Sequence, residues 1–113
     1  VPQEWLAVIN EFGGEIPETY GVPVEQICEG IKHGVRKVNI DTDLRLASTG
    51  AIRRFLAHNP SEFDPRKYLK ETVTAMKEIV ISRYESFGTA GQADKLKAVS
   101  LEKMYLNYQK GLL

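Results

Sequence analysis

Residues 39–42, Asn-Ile-Asp-Thr, place an amide, a carboxylate and a hydroxyl within four consecutive positions. They follow Val35 and Val38, which together with Ile40 predict a short β-strand, the only convincing one in the 113-residue chain. A helix is predicted to open directly afterwards. The polar groups would therefore lie at the carboxyl end of a strand, where parallel α/β sheets and barrels bind their ligands.

Side chains alternate along a strand, so Lys37, Asn39 and Asp41 are predicted to share one face while Val38 and Ile40 share the face that helices cover. A single strand cannot satisfy its own backbone N–H and C=O groups. Its partners must then lie outside this chain. The predicted fold class is α/β: the C-terminal portion of a (β/α)₈ barrel, comprising the last strand and its helices, with an appended helical tail.

The bulk composition excludes several classes of function. Fifteen acidic and fifteen basic residues cancel, which argues against nucleic-acid or membrane-surface binding driven by net charge. Cys28 is the sole cysteine, so no intrachain disulfide forms and a reducing, cytoplasmic location is expected. No apolar run approaches the roughly 20 residues of a membrane span.

Proline, glycine and capping residues predict the helix boundaries. Helices are expected to start at Pro2, at Pro23, at Thr42 or Asp43 as the cap, at Asp64-Pro65 and at Ser100. Apolar residues that recur every three or four positions fall on one face of the long helix after Pro65, and the last helix is expected to turn Leu101, Met104, Tyr105 and Tyr108 inward. The pattern predicts two structural units in the chain. Residues 1–58 would form the end of the barrel, and residues 59–113 would form a helical extension that makes oligomer contacts.

Other reactive side chains have ordinary structural interpretations. His33 and His58 each fall at a helix end, 25 positions apart and without a flanking carboxylate pattern, which makes a poor zinc site. Cys28 fits a small, partly buried helix residue. The structural interpretation of Asn39 and Asp41 is a polar rim of the barrel, with Asp41 capping the next helix.

Three stretches resemble class II fructose-1,6-bisphosphate aldolase: Gly34-Val-Arg-Lys-Val-Asn-Ile-Asp-Thr-Asp-Leu-Arg-Leu-Ala47, Thr49-Gly-Ala-Ile-Arg-Arg54 and Phe63-Asp-Pro-Arg66. The flanks at 15–21 and 87–93 are similar to the subgroup found in many bacteria, including autotrophs. The resemblance covers essentially the whole chain, which would correspond to about the last third of such an enzyme. It implies a lyase of glycolysis, gluconeogenesis and carbon fixation.

The resemblance implies reversible, metal-dependent cleavage of fructose 1,6-bisphosphate to dihydroxyacetone phosphate and glyceraldehyde 3-phosphate. Zinc or another divalent metal, and in some members a monovalent cation, would be bound by residues outside this chain, as would the acid/base aspartate. Asn39 would hydrogen-bond the substrate oxygen near the metal and is the one catalytic candidate in this chain. The run Asn39, Ile40, Asp41 and Thr42 would bind dihydroxyacetone phosphate, with backbone N–H groups meeting its phosphate.

By the same resemblance, Arg45 would contact the other phosphate of the bisphosphate. Asp64 and Arg66 would take part in binding and sugar discrimination, either in their own subunit or in the site of a neighbouring one. The expected partners are phosphorylated sugars, the rest of the same polypeptide, and further copies in a homodimer or homotetramer. Nucleic acid and membrane are not expected partners.

Two alternatives stay open. A tagatose-bisphosphate aldolase would differ only in the stereochemistry of its substrate at one carbon. A non-catalytic interpretation would make residues 64–113 a helical oligomerisation module.

Overall fold

The computed structural model describes residues 1–112, and its architecture is all-helical. One short 3₁₀ helix, Ala93–Lys95, follows four of the five α-helices. The α-helices are α1 (Gln3–Glu11), α2 (Val24–Lys32), α3 (Thr42–His58), α4 (Pro65–Ser86) and α5 (Leu101–Gln109).

The helices begin close to where proline and capping residues predict. Pro2 and Pro23 directly precede α1 and α2. At α4 the Asp64 carboxylate accepts a hydrogen bond of 3.0 Å from the backbone N–H of Arg66. The Ser100 hydroxyl accepts one of 3.3 Å from the N–H of Lys103 at α5. Each of these two caps satisfies a backbone donor that the helix itself leaves unpaired.

Helix α3 lies at the centre of the fold and packs against both α1 and α4. Small residues allow this close approach, because Gly50 carries no Cβ and the ring of Trp5 occupies the space that one would fill. The core shared by the three helices consists of Trp5, Leu6, Ile9, Leu46, Ala47, Ala51, Ala75 and Ile79. Since α4 contributes to this core, residues 59–113 do not pack separately throughout; the division at 58/59 stays a prediction.

The predicted strand is wrong for this structure: residues 1–112 contain no β-strand, and no part of a (β/α)₈ barrel is seen. Residues 35–41 instead form an irregular link between α2 and α3. The physical reason is that a strand exists only through hydrogen bonds to a neighbouring strand, and the described chain offers none. The apolar positions Val38 and Ile40 still mark the half-buried side chains of the link.

The predicted inward face of α5 is also wrong within the described residues. Leu101, Tyr105 and Tyr108 are 84%, 64% and 69% exposed, and only Met104 is half-buried. Helix α5 follows a connector that includes Gly88 and Gly91, both at positive φ, and it adds no buried residue to the core. Its apolar stripe therefore has no partner in the part of the chain that the structure describes.

Helix α4 carries two apolar stripes, and the helices within the chain use one of them. Ala75 and Ile79 face the core, whereas Leu69, Val73 and Val80 remain 48%, 66% and 38% exposed. None of the helices in residues 1–112 is long and apolar enough to cross a bilayer.

Candidate functional site

The link between α2 and α3 separates two cavities. The first, the polar cavity, has a volume of about 800 Å³ and is bordered by Lys37, Asn39, Asp41 and Thr42. The second, the apolar cavity, measures about 490 Å³ and lies between the link and the C-terminal half of α4. Lys37, Asn39 and Asp41 border only the polar cavity, as the alternation of side chains predicts, whereas Val38 and Ile40 border both cavities.

Asn39 is exposed in the polar cavity and is held by a neighbour. Its Oδ1 accepts a hydrogen bond of 2.7 Å from Nζ of Lys37. Because an ammonium group can only donate, this contact assigns the oxygen of the amide to Lys37. The two N–H donors of Asn39 have no acceptor within residues 1–112, so they are available to an oxygen atom of a ligand.

Helix α3 begins beside this amide. Asp41 is the N-cap residue and Thr42 the first helical residue; the prediction that Thr42 or Asp43 caps the helix is wrong, and the Asp41 side chain makes no capping hydrogen bond. The backbone N–H groups of Thr42, Asp43 and Leu44 find no acceptor in the described chain. Unpaired N–H groups at the positive end of a 17-residue helix favour an anion.

The Asp41 carboxylate is occupied by Arg45, one turn further along α3. Arg45 Nε lies 2.9 Å from Oδ1 of Asp41, and its terminal nitrogen lies 2.8 Å from Oδ2. Both side chains are mostly exposed, at 77% and 67%, so the pair is weak and can be exchanged for a ligand. Arg45, which is predicted to bind a second phosphate, therefore lies close to the start of α3, and in this structure its guanidinium is paired with Asp41.

Asp43 makes a less exposed ion pair with α4. A terminal nitrogen of Arg83 lies 2.8 Å from Oδ2 of Asp43, and the two side chains are only 15% and 17% exposed. Arg83 also borders the polar cavity. Sequence reasoning missed Arg83, because only the packing of α3 on α4 brings it to a residue 40 positions away.

Asp64 and Arg66 lie far from these groups. They stand at the N-terminal end of α4, whereas Arg83 is near its C-terminal end. Eighteen positions from Pro65 to Arg83, at about 1.5 Å each, correspond to about 27 Å along the helix. Within one chain the structure does not bring Asp64 and Arg66 together with Asn39.

Asp64 and Arg66 are instead bonded to each other. A terminal nitrogen of Arg66 lies 2.7 Å from Oδ2 of Asp64, and its Nε lies 3.0 Å from Oδ1. The Arg66 guanidinium holds the pKa of the Asp64 carboxyl below its ordinary value, and the backbone N–H of Arg66 acts in the same direction. The pair carries an ionised carboxylate and a guanidinium whose outer edge is free, since the Arg66 side chain is 89% exposed.

Residues 1–112 form no cluster of three or more His, Cys, Asp or Glu side chains that could hold a metal ion. Nε2 of His33 lies 3.0 Å from the Glu29 carboxylate, and Nδ1 of His58 lies 2.7 Å from the Arg54 carbonyl oxygen. Cys28 is half-buried, and its thiol donates to the Ser86 carbonyl oxygen at 3.2 Å. These contacts give each side chain a structural role.

Comparison with known proteins gives one consistent family. The family model described as fructose-bisphosphate aldolase class-II matches residues 18–92. The chain is 74% identical to a fructose-bisphosphate aldolase of Pseudomonas aeruginosa and 61% identical to one of Nostoc sp.. It is 58% identical to a fructose-bisphosphate aldolase class 2 of Synechocystis sp.. Each match covers the whole chain but 32% of the relative, so the chain spans about a third of the length of these proteins.

Proposed function

The chain belongs to the class II fructose-bisphosphate aldolase family, and on that premise we propose that it forms the sugar-phosphate-binding part of an enzyme that reversibly cleaves fructose 1,6-bisphosphate. The products are dihydroxyacetone phosphate and glyceraldehyde 3-phosphate. The observation that carries the proposal is the polar cavity, where the Asn39 amide lies beside the unpaired N–H groups that begin α3.

The start of α3 binds the phosphate of dihydroxyacetone phosphate. The backbone N–H groups of Thr42 and its two successors donate to the phosphate oxygens, and the Thr42 hydroxyl adds a further donor. Asp41 takes part through its backbone, because its carboxylate is turned to Arg45. Ile40 has no polar side chain and is half-buried, so it contributes only its backbone and the spacing of the run.

Asn39 orients the reacting part of the substrate. Lys37 holds its Oδ1, which leaves the amide N–H groups as donors to a substrate oxygen on which negative charge develops. A donor fixed in advance stabilises such charge without having to reorganise during the reaction. Lys37 acts through Asn39, as a positioning residue.

The second phosphate is bound by Arg45, which exchanges its exposed carboxylate partner for phosphate oxygens. The guanidinium group matches a phosphate bidentately, as it now matches the Asp41 carboxylate. Asp64 and Arg66 lie at the far end of α4, about 27 Å along the helix from Arg83, and they serve the site of a second copy of the chain and not their own. The exposed apolar stripe of α4 supplies a surface for that contact.

The class II family depends on a divalent metal, which supplies Lewis-acid stabilisation of the developing enediolate. The described residues of this chain do not fit a metal, because they form no ligand cluster. By the family resemblance, zinc and its ligands are assigned to the remainder of the enzyme, together with the acid/base aspartate. The residues of this chain bind and orient the substrate.

An assay of the full-length enzyme tests the proposal. Fructose 1,6-bisphosphate and tagatose 1,6-bisphosphate are supplied separately, and formation of glyceraldehyde 3-phosphate is followed through a coupled dehydrogenase. Rapid cleavage of the fructose compound and slow cleavage of the tagatose compound are expected, because the relatives carry the fructose name. Preference for the tagatose compound would support the alternative aldolase, and no cleavage of either would refute the proposed function.

A further inference from the structure

The ion pair between Asp43 and Arg83 joins two helix ends of opposite polarity. Asp43 lies in the first turn of α3, where a carboxylate complements the positive end of the helix dipole. Arg83 lies in the last turn of α4, where a guanidinium complements the negative end. The 2.8 Å contact therefore fixes the start of α3 against the end of α4.

This pair is also part of the wall of the polar cavity. Asp43 directly follows Thr42, and both Asp43 and Arg83 border the cavity that contains Asn39. The Asp43 carboxylate is thus next to the N–H groups that would receive an anion. Without a counter-charge it would repel that anion, so its neutralisation matters to binding as well as to packing.

We propose that Arg83 is a positioning residue of the sugar-phosphate site, which neutralises Asp43 and holds the N–H groups of the first turn of α3 in place for a phosphate group. This inference rests on the proposed function for the identity of the phosphate ligand. Arg83 contacts the site through Asp43. It belongs to α4, a helix that the spacing of residues in the sequence does not connect to the site. Arg83 acts on affinity for the phosphate and not on the bond that is cleaved.

Binding of inorganic phosphate to the full-length enzyme, measured by isothermal titration calorimetry, tests the role of Arg83. Arg83→Met is expected to weaken phosphate binding about tenfold, as one uncompensated charge close to an anion does at a partly screened site. Arg83→Lys keeps the charge and should stay within about threefold of the wild type. Lys77→Met removes one charge from an exposed position on the same helix and should leave phosphate affinity unchanged.

The double variant Asp43→Asn with Arg83→Met separates charge from packing. If Arg83 neutralises Asp43, removal of both charges should restore most of the phosphate affinity that Arg83→Met loses. A double variant that binds as weakly as Arg83→Met overturns the proposal, and so does wild-type affinity in Arg83→Met. Failure of the wild type to bind phosphate also overturns it.

A variant that does not fold still leaves a decisive comparison. If Arg83→Met is unfolded, Asp43→Asn is compared with the wild type, and about threefold tighter phosphate binding is expected because Arg83 then faces the anion unpaired. Equal or weaker binding would overturn the proposal. Cleavage of fructose 1,6-bisphosphate by the wild type is measured in parallel; its absence refutes the proposed function, whereas the phosphate affinities by themselves decide the role of Arg83.

Discussion

Two aspartates flank Thr42 at the start of α3, and each is paired with an arginine. Asp41 is bonded to Arg45 within the helix, and Asp43 is bonded to Arg83 of α4. Without Arg83, the shielded Asp43 carboxylate would place negative charge beside the N–H groups proposed to bind phosphate, whereas the charge of the exposed Asp41 carboxylate is screened by solvent. The two pairs differ in exposure, which suggests that the exposed one exchanges with ligand while the half-buried one persists.

Replacing Arg45 by alanine tests the exchange. In the full-length enzyme, Arg45→Ala should cost about 1.5–3 kcal/mol of bisphosphate binding in the transition state, or roughly one to two decades in kcat/KM, because a charged hydrogen bond is lost. A substrate without the 6-phosphate should hardly be affected. The measurement is kcat/KM for both substrates with the wild type and the variant. Equal losses on both would mean that Arg45 only supports the helix.

The charge state of Asp64 provides a second test on single residues. Its pKa lies below the ordinary 3.8 because Arg66 donates to its charged form. An acid whose pKa is lower in the folded state stabilises that state above pH 3.8, and this contribution is lost as the pH falls through the lowered value. Carboxyl ¹³C NMR of aspartate-labelled enzyme should show this low pKa, and Arg66→Met should move it upward towards 3.8. If Arg66→Met left the pKa of Asp64 unchanged, the Arg66 guanidinium would not be the cause of the lowered value. Lys70→Met, which removes a positive charge elsewhere on α4, is the control.

At the scale of the helices, local signals in the sequence were sufficient for most boundaries. Pro23, Asp64-Pro65 and Ser100 mark starts within a residue or two, and Gly34 and Gly88 mark ends at positive φ of 109° and 70°. These signals act between residues close in sequence, so no knowledge of the fold is needed. Asp41 is the exception: it is the N-cap residue of α3, but its carboxylate binds Arg45 and makes no capping hydrogen bond.

Properties that depend on distant residues were predicted less well. The apolar residues around Val38 do not reveal whether a partner strand exists, and in residues 1–112 it does not. The periodicity of α5 identifies an apolar face but not what covers it. For the candidate site, the run from Asn39 to Thr42 was found from local spacing and resemblance, and its binding role stays a prediction. Arg83 was not found, because its place in the site arises only from packing of α4 on α3.

Close packing of α1 on α3 predicts that a glycine-to-alanine substitution in α3 lowers stability, which is the opposite of its usual effect in a helix. Gly→Ala in a helix interior ordinarily stabilises by up to about 1 kcal/mol. A Cβ on Gly50, however, would lie 2.6 Å from Cε3 of the Trp5 ring, which is buried and cannot swing away. Gly50→Ala should therefore destabilise by about 1–3 kcal/mol, as overpacking does. Thermal unfolding of the full-length enzyme measures it, with the exposed Thr49→Ala as control. Stabilisation by Gly50→Ala would contradict the packing.

At the scale of the whole molecule, the chain exposes more surface than a compact domain of its size. Its radius of gyration is 19.2 Å, whereas about 13 Å is expected for a compact domain of this length. Its accessible surface is 8775 Å², compared with about 6,200 Å² for a globular monomer of the same mass. The excess includes the apolar stripes of α4 and α5. Such a surface fits a segment that packs against the rest of a larger enzyme.

The 113 residues expressed alone should therefore be helical without unfolding cooperatively. Helices α2 and α5 contribute no buried residue to the core, so they are held weakly. Circular dichroism should show helix content that declines gradually on heating, while the full-length enzyme unfolds in a sharp transition. A sharp transition from a monomer of the isolated chain would contradict this and would favour an independent helical module.

The central claim, that Asn39 and the start of α3 position the sugar phosphate for cleavage, is tested most directly by the turnover of the full-length enzyme with Asn39→Ala. The variant should retain the circular dichroism spectrum and unfolding temperature of the wild type, since Asn39 is exposed and supports no core contact. Its kcat on fructose 1,6-bisphosphate should fall by roughly 10²- to 10³-fold, the loss typical of one preorganised donor to developing negative charge. A kcat close to that of the wild type in the folded variant would contradict the claim.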